Sequence, residues 1–315
     1  MRHRQSRRAF LQRSAAWAAS VALTRSSVAA GSAAHRTRLI LLGTGGGPRP
    51  KRDRSASAQA IVVDDYLYVI DCGDGVARQI VRAGLALPRL RHVFLTHHHS
   101  DHNADYGNLL LLAWASGLAT RVDVWGPPPL VAMTQHFLKM SDLDIRTRIA
   151  DEGRVPLSPL IEPHELNGAG VVLKDERLTV TATLVRHPPI EHAFAFRFDA
   201  PDRSIVISGD TNRAESLIRL ARGADVLVHE ALFVPAVDRL VARVPNATTL
   251  KQHIIDSHTA VEECGRVAAE AGVKMLVLSH LVPTDDPAVT DDMWVDAARR
   301  YFKGEVVLGS DLLEV

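Results

Sequence analysis

Short apolar runs separated by polar, glycine-rich breaks predict the elements of this chain. Residues 37–43, Thr-Arg-Leu-Ile-Leu-Leu-Gly, read as a strand running into the loop GTGGGPRP. Residues 60–70, AIVVDDYLYVI, break at Asp64-Asp65 into two apolar halves and predict a hairpin. A helix is expected over 75–83, a buried strand over 92–96, a helix over 104–116, and a strand and turn in RVDVWGPPP. Residues 140–177 show no sustained period and several Pro and Gly, which predicts loops covering a site. Beyond them, strands at 178–185, 193–198, 204–208, 225–229, 275–279 and 305–310 are joined by helices at 213–222, 259–271 and 290–302. Strand-rich stretches interrupted by strand–helix units imply sheets covered by helices, an α/β architecture.

The first thirty residues follow another plan. A basic stretch leads into an apolar run from Ala15 to Leu23 and then into small residues around Ala29–Ala30 or Ala34, as in a cleaved export signal. Within it, Ser6-Arg7-Arg8-Ala9-Phe10-Leu11 resembles the twin-arginine signature. That pathway's machinery exports folded proteins, so the mature protein is expected in the periplasm or outside the cell. The chain divides on this reading into a signal and short linker, 1–34, and one domain, 35–315. The apolar run is too short for a stable membrane span.

Composition narrows the classes. With 46% hydrophobic and 23% charged residues, the domain is an ordinary globular one, large enough to need no disulfide staples. The two cysteines, Cys72 and Cys264, make no disulfide framework, and Cys72 in VIDCGDG reads as a small buried thiol. Six arginines and no acid fall in residues 1–30, so removing them takes the net charge from +1 to −5. A negative mature chain argues against nucleic acid as a partner, since that binding leans on Lys and Arg.

The candidate chemistry sits in THHHSDHNAD, residues 96–105. Alternation along an extended chain places His97 and His99 on one side and His98 on the other, where it is structural. After a turn, Asp101 and His102 form a second pair, and Asp105 starts the next helix, whose dipole favours a carboxylate. Imidazole and carboxylate together suit zinc, and manganese or iron less well. Further ligands stand singly at predicted strand ends: His187 in LVRHPP, Asp210 in IVISGDT and His280 in LVLSHLVP.

H-x-H-x-D-H followed by single His, Asp and His resembles the metallo-β-lactamase superfamily over residues 37–311. The resemblance implies a four-layer αβ/βα sandwich with two Zn²⁺ at the edge between two sheets. By it, His97, His99 and His187 hold one ion, Asp101, His102 and His280 the other, and Asp210 bridges them. The stretches 42–58, DCGDG (71–75), HEALF (229–233) and SHTAVEECGRVAAEAG (257–272) are similar to a narrower group. It contains ribonuclease Z-like transfer-RNA 3′-processing nucleases, arylsulfatase-like enzymes and phosphodiesterases. In that group His258 approaches the scissile group and Glu230 orients it; with Asp101 they form the expected catalytic set. His192 could face substrate, support a ligand or lie on the surface.

One departure is that the transfer-RNA nucleases carry a long arm between the third histidine motif and the bridging aspartate, whereas His187 and Asp210 are too close to hold one. Two ions sharing a hydroxide would lower its pKa towards neutrality, and His258 could protonate the leaving oxygen. The expected reaction is hydrolysis of a small anionic ester, either a phosphodiester or a sulfate ester. Alternatives are a lactone and ribonuclease Z-like 3′ processing of transfer RNA. Of the other classes, di-iron oxidoreductases of this superfamily carry Glu where His99 stands, and β-lactamases carry Cys or Ser where Asp210 stands. A metal-binding protein without catalysis is the remaining class. Specificity is expected in loops 126–175 and 235–257, with WGPPPL and RVPNATTL at the mouth, and relatives suggest a homodimer.

Overall fold

Each half of the chain builds one sheet. The computed structural model describes residues 37–315, so the expected export signal lies outside the described residues. In the first sheet β1 (Arg38–Gly43), β2 (Ala58–Val63), β3 (Tyr66–Ile70), β4 (Leu90–Phe94), β5 (Val122–Gly126) and β6 (Ile161–Glu165) lie in chain order. The first three are antiparallel, and β3 to β6 are parallel. In the second, β7 (Gly170–Lys174), β8 (Thr179–Leu184), β9 (Phe194–Asp199), β10 (Ser204–Ile207), β11 (Val226–Leu232), β12 (Met275–Val282) and β13 (Glu305–Leu308) again follow chain order. Here β7 to β10 are antiparallel and β10 to β13 parallel.

Strand periodicity sorts side chains between two kinds of core. Along β1, Leu39 and Leu41 face the opposite sheet, while Ile40 and Leu42 join the cluster under the helices. Between the sheets, Ile61, Tyr68 and Phe94 meet Phe194, Phe196 and Phe198. Phe94 packs edge-on against Phe196 and Phe198 at 5.4 and 5.2 Å. Outside the first sheet lie α1 (Val76–Arg82), α2 (Ser100–Asn103), α3 (Tyr106–Ala115), α4 (Leu130–Met140) and α5 (Asp142–Glu152). Ile80, Leu109 and Trp114 bury against it. The second half adds α6 (Glu215–Ala221), α7 (Val237–Ala242), α8 (Leu250–Ser257), α9 (Val261–Ala271) and α10 (Asp291–Arg299). Leu217, Val267 and Trp294 bury against the second sheet. The result is the four-layer αβ/βα sandwich.

Two stretches read as loops are ordered elements. Residues 140–177 hold α5, β6 and β7. On α5 the pairs Asp142–Arg146, Asp144–Arg148 and Arg148–Glu152 recur four residues apart, support that apolar period does not reveal. Pro163 is tolerated because β6 is an edge strand. Residues 235–257 contain α7 and α8.

The ends of β10, β11 and β12 opposite the site are tied together by Asp225. Its carboxylate accepts from the backbone N–H and hydroxyl of Ser204, at 2.7 and 2.8 Å, and pairs with Lys274 at 2.6 Å. Burial opposes its ionisation, but Lys274 and the Ser204 donors outweigh that and hold it down at about 2. An unfolded aspartate titrates near 3.9, so this stabilisation is complete above about pH 4 and lost as pH falls through about 2. Asp225→Ala is expected to cost about 1–2 kcal/mol at pH 7. In denaturant titrations the gap from wild type should shrink steadily below pH 4.

Candidate metal centre and active site

The expected ligands follow strand ends, except His280, which lies within β12. His97 to His99 leave β4, and α2 then presents Asp101 and His102. His187 follows β8 and Asp210 follows β10. Before Asp210, Gly209 has φ +59°, and a Cβ there would meet the Phe194 carbonyl oxygen at 2.7 Å, so glycine satisfies both demands. His280 sits in a β-bulge: Glu230 pairs with Ser279 and Ala231 with Leu281, which leaves His280 unpaired with φ +42°. Such a bulge re-aims a side chain, and here it turns an imidazole out of β12 towards the cluster. Gly46 makes room, since a Cβ there would lie 2.7 Å from His280 Nδ1.

The ligand atoms converge in two sets that share Asp210: His97, His99, His187 and Asp210, then Asp101, His102, Asp210 and His280. In the first, His99 Nδ1 lies 3.1 Å from His97 Nε2 and 3.0 Å from His187 Nε2. In the second, His280 Nε2 lies 3.1 Å from Asp101 and 3.3 Å from Asp210, and His102 Nε2 lies 3.3 Å from Asp210. Zinc–nitrogen bonds of about 2.0–2.1 Å place tetrahedral ligands roughly 3.3 Å apart, so the spacing suits that ion. Further, His102 Nε2 and Asp210 Oδ1 are buried 3.3 Å apart without a hydrogen-bond partner. Burial opposes a charge on His102, but Asp210, Asp71 and Asp101 outweigh it and push its pKa up, so the carboxylates draw positive charge to this point. A cation between them resolves that arrangement, and the cluster fits divalent metal.

The remote ring nitrogens of His102 and His187 are held by protein groups, which fixes their tautomers, whereas His280 Nδ1 is buried without a hydrogen-bond partner. Asp71 accepts from His102 Nδ1 at 2.7 Å, and the Ser257 carbonyl accepts from His187 Nδ1 at 3.0 Å. Burial and mutual repulsion push His97 and His187 below the usual imidazole range, and His99 down to about 4. They are therefore neutral, as metal ligation requires. Burial opposes ionisation of Asp101 and Asp210, but His102 and His280 outweigh it and hold both carboxyls low.

His258 ends α8 beside this cluster. Its Nδ1 lies 3.3 Å from Glu230 and 3.9 Å from Asp210. Burial would lower its pKa, but these carboxylates outweigh burial and push it up to about 9. Glu230 is itself held by the backbone N–H groups of Thr211 and Thr259, at 3.2 and 2.9 Å. Glu230 thus lies behind His258, anchored by backbone donors.

The remaining candidates fall outside the cluster. His98 donates from Nε2 to the Pro127 carbonyl at 2.7 Å and accepts from Asn103. Asp105 starts α3, yet its carboxylate accepts from the Gly75 N–H at the head of α1, at 2.8 Å. Cys72 is buried. His192 is half-buried before β9 and belongs to neither ligand set. Two residues escaped the sequence reading. Asp71 orients His102 and also accepts from the Thr96 N–H at 2.8 Å; its position in DCGDG behind a strand was the available signal. His253 on α8 brings its ring within 5.9 Å of His99 and 6.3 Å of His258, and nothing in the sequence marked it.

A cavity of about 260 Å³ opens onto His99, Asp101, Asp210, His258 and His280, walled by the Gly46–Lys51 loop and by α7 and α8. Residues 126–175, expected to govern specificity, contribute nothing to its lining, because α4, α5 and β6 pack at the far edge of the first sheet. Of the two stretches expected at the mouth, WGPPPL is absent from the lining, whereas Val244, Ala247 and Leu250 of RVPNATTL belong to it.

This fold and this paired His/Asp site define a class, and the comparisons agree: the chain belongs to the metallo-β-lactamase superfamily, whose domain (beta-lactamase superfamily domain) matches residues 66–281. It is a metal-dependent hydrolase of ester bonds. Among its relatives, the ribonuclease Z of Mycobacterium bovis is 32% identical over 280 residues, covering 88% of this chain and 97% of the relative. The ribonuclease Z of Mycobacterium sp. (strain KMS) is 34% identical over 279 residues, 88% of this chain and 95% of the relative. Human tRNase Z, short form, superposes with a TM-score of 0.66 at 21% identity over 88% of this chain and 98% of its own.

These relatives overturn the expectation that nucleic acid is not a partner. An alignment of 280 residues spanning 97% of a ribonuclease Z leaves no room in that relative for a long arm this chain lacks. Total charge also misled, because charge distribution matters more than its sum. A groove of about 690 Å³ that reaches Ser100 and Asp101 is lined by Arg49, Lys51, Arg52, Arg54, Arg78 and Arg82, which outnumber its aspartates Asp53, Asp74, Asp101 and Asp311.

Asp71→Asn keeps the shape and removes the charge behind His102. Zinc affinity is expected to fall about 10–100-fold, read by titration against a competing chelator. Unchanged affinity would mean that Asp71 serves only Thr96.

Proposed function

We propose that this protein is a dinuclear zinc phosphodiesterase of the ribonuclease Z kind, cutting RNA at a phosphodiester near a 3′ end. One observation carries the reading: two His/Asp sets share Asp210 where a cationic groove meets Asp101. The ribonuclease Z relatives support RNA as the substrate. They favour the phosphodiester over the sulfate ester and lactone also expected from sequence.

His97, His99 and His187 would hold one ion, Asp101, His102 and His280 the other, and Asp210 both. Bound there, the ions supply an acidified water and charge stabilisation at the phosphoryl oxygens. The chain's own groups do the rest. The arginine-lined groove neutralises strand phosphates and sets the register of the RNA. Asp71 and the Ser257 carbonyl keep His102 and His187 in the ligating tautomer. Glu230 keeps His258 Nδ1 protonated and the ring fixed, so that His258, which lines the cavity, donates a proton to the leaving oxygen.

Zinc-loaded protein is expected to cleave a transfer-RNA transcript with a 3′ extension and to turn over bis(4-nitrophenyl) phosphate. Chelation should abolish both, and Asp210→Ala should not be rescued by added zinc. His258→Asn should lower kcat about 10²–10⁴-fold. Protein that binds two ions per chain yet cleaves neither substrate would sink the reading.

A further inference from the structure

Beside the metal centre, the 260 Å³ cavity has two unlike walls. Gly46 to Lys51 form one, with Arg49 and Lys51 among them. The other is apolar: Leu240, Val244, Ala247, Leu250 and Ile254 from the α7–α8 segment, with Val282 from the end of β12. Leu240, Ile254 and Val282 also belong to a small separate core with Leu232 and Val237, which holds this wall in place. Phosphate groups gain nothing from the apolar wall, and none of its residues line the cationic groove, which shares Pro48, Arg49, Lys51, Ser100 and Asp101 with the cavity's other side. Something flat and apolar, joined covalently to the scissile group, is what the wall can bury.

His253 adds the aromatic element. It is on α8, lines the cavity and belongs to neither ligand set, so its ring is free to serve the occupant. Its hydroxyl neighbour Ser257 is 3.4 Å away, a weak tether. Size limits what enters: the volume lies below the roughly 300–1,000 Å³ of drug-sized ligand sites, which suits one ring system and excludes a stack of bases.

We propose that this cavity is a base-binding subsite that takes one nucleobase next to the scissile phosphate, its face against His253 and the Leu240–Ile254 wall. The proposal rests on the phosphodiesterase reading and specifies how that site grips its RNA. Base stacking on aromatic and apolar side chains is tolerant of sequence, because every base has a flat face. A single splayed base held in this way would align the adjoining phosphate with the ligand sets while the rest of the strand follows the arginines.

The test compares adenosine 5′-monophosphate with ribose 5-phosphate, which carry the same phosphate with and without a base. Both are titrated calorimetrically into the full, zinc-loaded protein, with phenyl phosphate as a third ligand. The monophosphate is expected to bind tenfold or more tighter than ribose 5-phosphate. Ala247→Trp, which fills the cavity from a half-buried position, and His253→Ala, which removes the ring, should each cut that ratio to within about threefold of one. Ribose 5-phosphate is the reference within each variant, so a misfolded protein loses both ligands whereas a damaged subsite loses only the difference. Equal binding in the wild type, or a ratio that survives both substitutions, overturns the subsite. Phenyl phosphate binding more tightly than the monophosphate also overturns it, in favour of an aryl ester. Phosphodiester turnover is measured on the same samples: equal binding with turnover intact removes only the subsite, whereas absent turnover removes the phosphodiesterase reading.

Discussion

The structure depends on burying carboxylates and imidazoles together in one seam between two sheets. Asp71, Asp101, Asp210 and Glu230 are all nearly inaccessible, as are His97, His102, His187 and His280. A lone charge in such a place is costly, and a pair with imperfect geometry is not much better. Three of these carboxylates are therefore bound from behind, whereas Asp210 Oδ1 has no hydrogen-bond partner. Asp71 takes the Thr96 N–H and His102, Asp101 takes the Gly47 N–H at 2.7 Å, and Glu230 takes two backbone donors. The lone pairs left over face inward, which is the donor set a divalent cation needs. The same arrangement that makes the seam expensive without a cation makes it selective for one.

That constraint explains the irregular backbone at the site. Asp71 has φ +60° and His280 φ +42°, conformations that side-chain-bearing residues seldom adopt. They persist because the surrounding structure over-determines them: Asp71 directly follows β3, and His280 occupies a bulge of β12 after which pairing resumes at Leu281. The Phe94–Phe196–Phe198 contact between the sheets supplies rigidity a few residues behind His97. Non-directional apolar burial brings the sheets together, and the hydrogen bonds at their edge then choose the geometry.

Much of the fold was legible from period and punctuation. The strands that bury both faces read as apolar runs; β10 ends within a residue of the pattern, whereas β11 and β12 run three residues past it, through Glu230 and His280. Segments held by other forces were missed. In α5 the support is ionic and lies on the solvent side, and α7 and α8 are short helices interrupted by Pro245 and Asn246. The charge argument failed for a related reason. A sum over the chain ignores position, and the glycine-rich loop and α1 bring six cationic side chains to one groove; of the four aspartates that also line it, Asp101 belongs to the ligand set and Asp311 is bound to backbone and hydroxyl donors.

The sequence alone determined which residue types would meet, because ligand identity and strand ends are local properties. His97, His99, Asp101 and His102 span six positions, so the geometry of one turn suffices to group them. Which imidazole faces which carboxylate was decided only by the tertiary structure. His280 reaches Asp101 across 179 residues, and His187 reaches His99 across 88. Asp71, Glu230 and His253 acquired their places by the same long-range packing. No local pattern encodes such a contact, since it exists only once the two sheets have docked and excluded water from the seam between them.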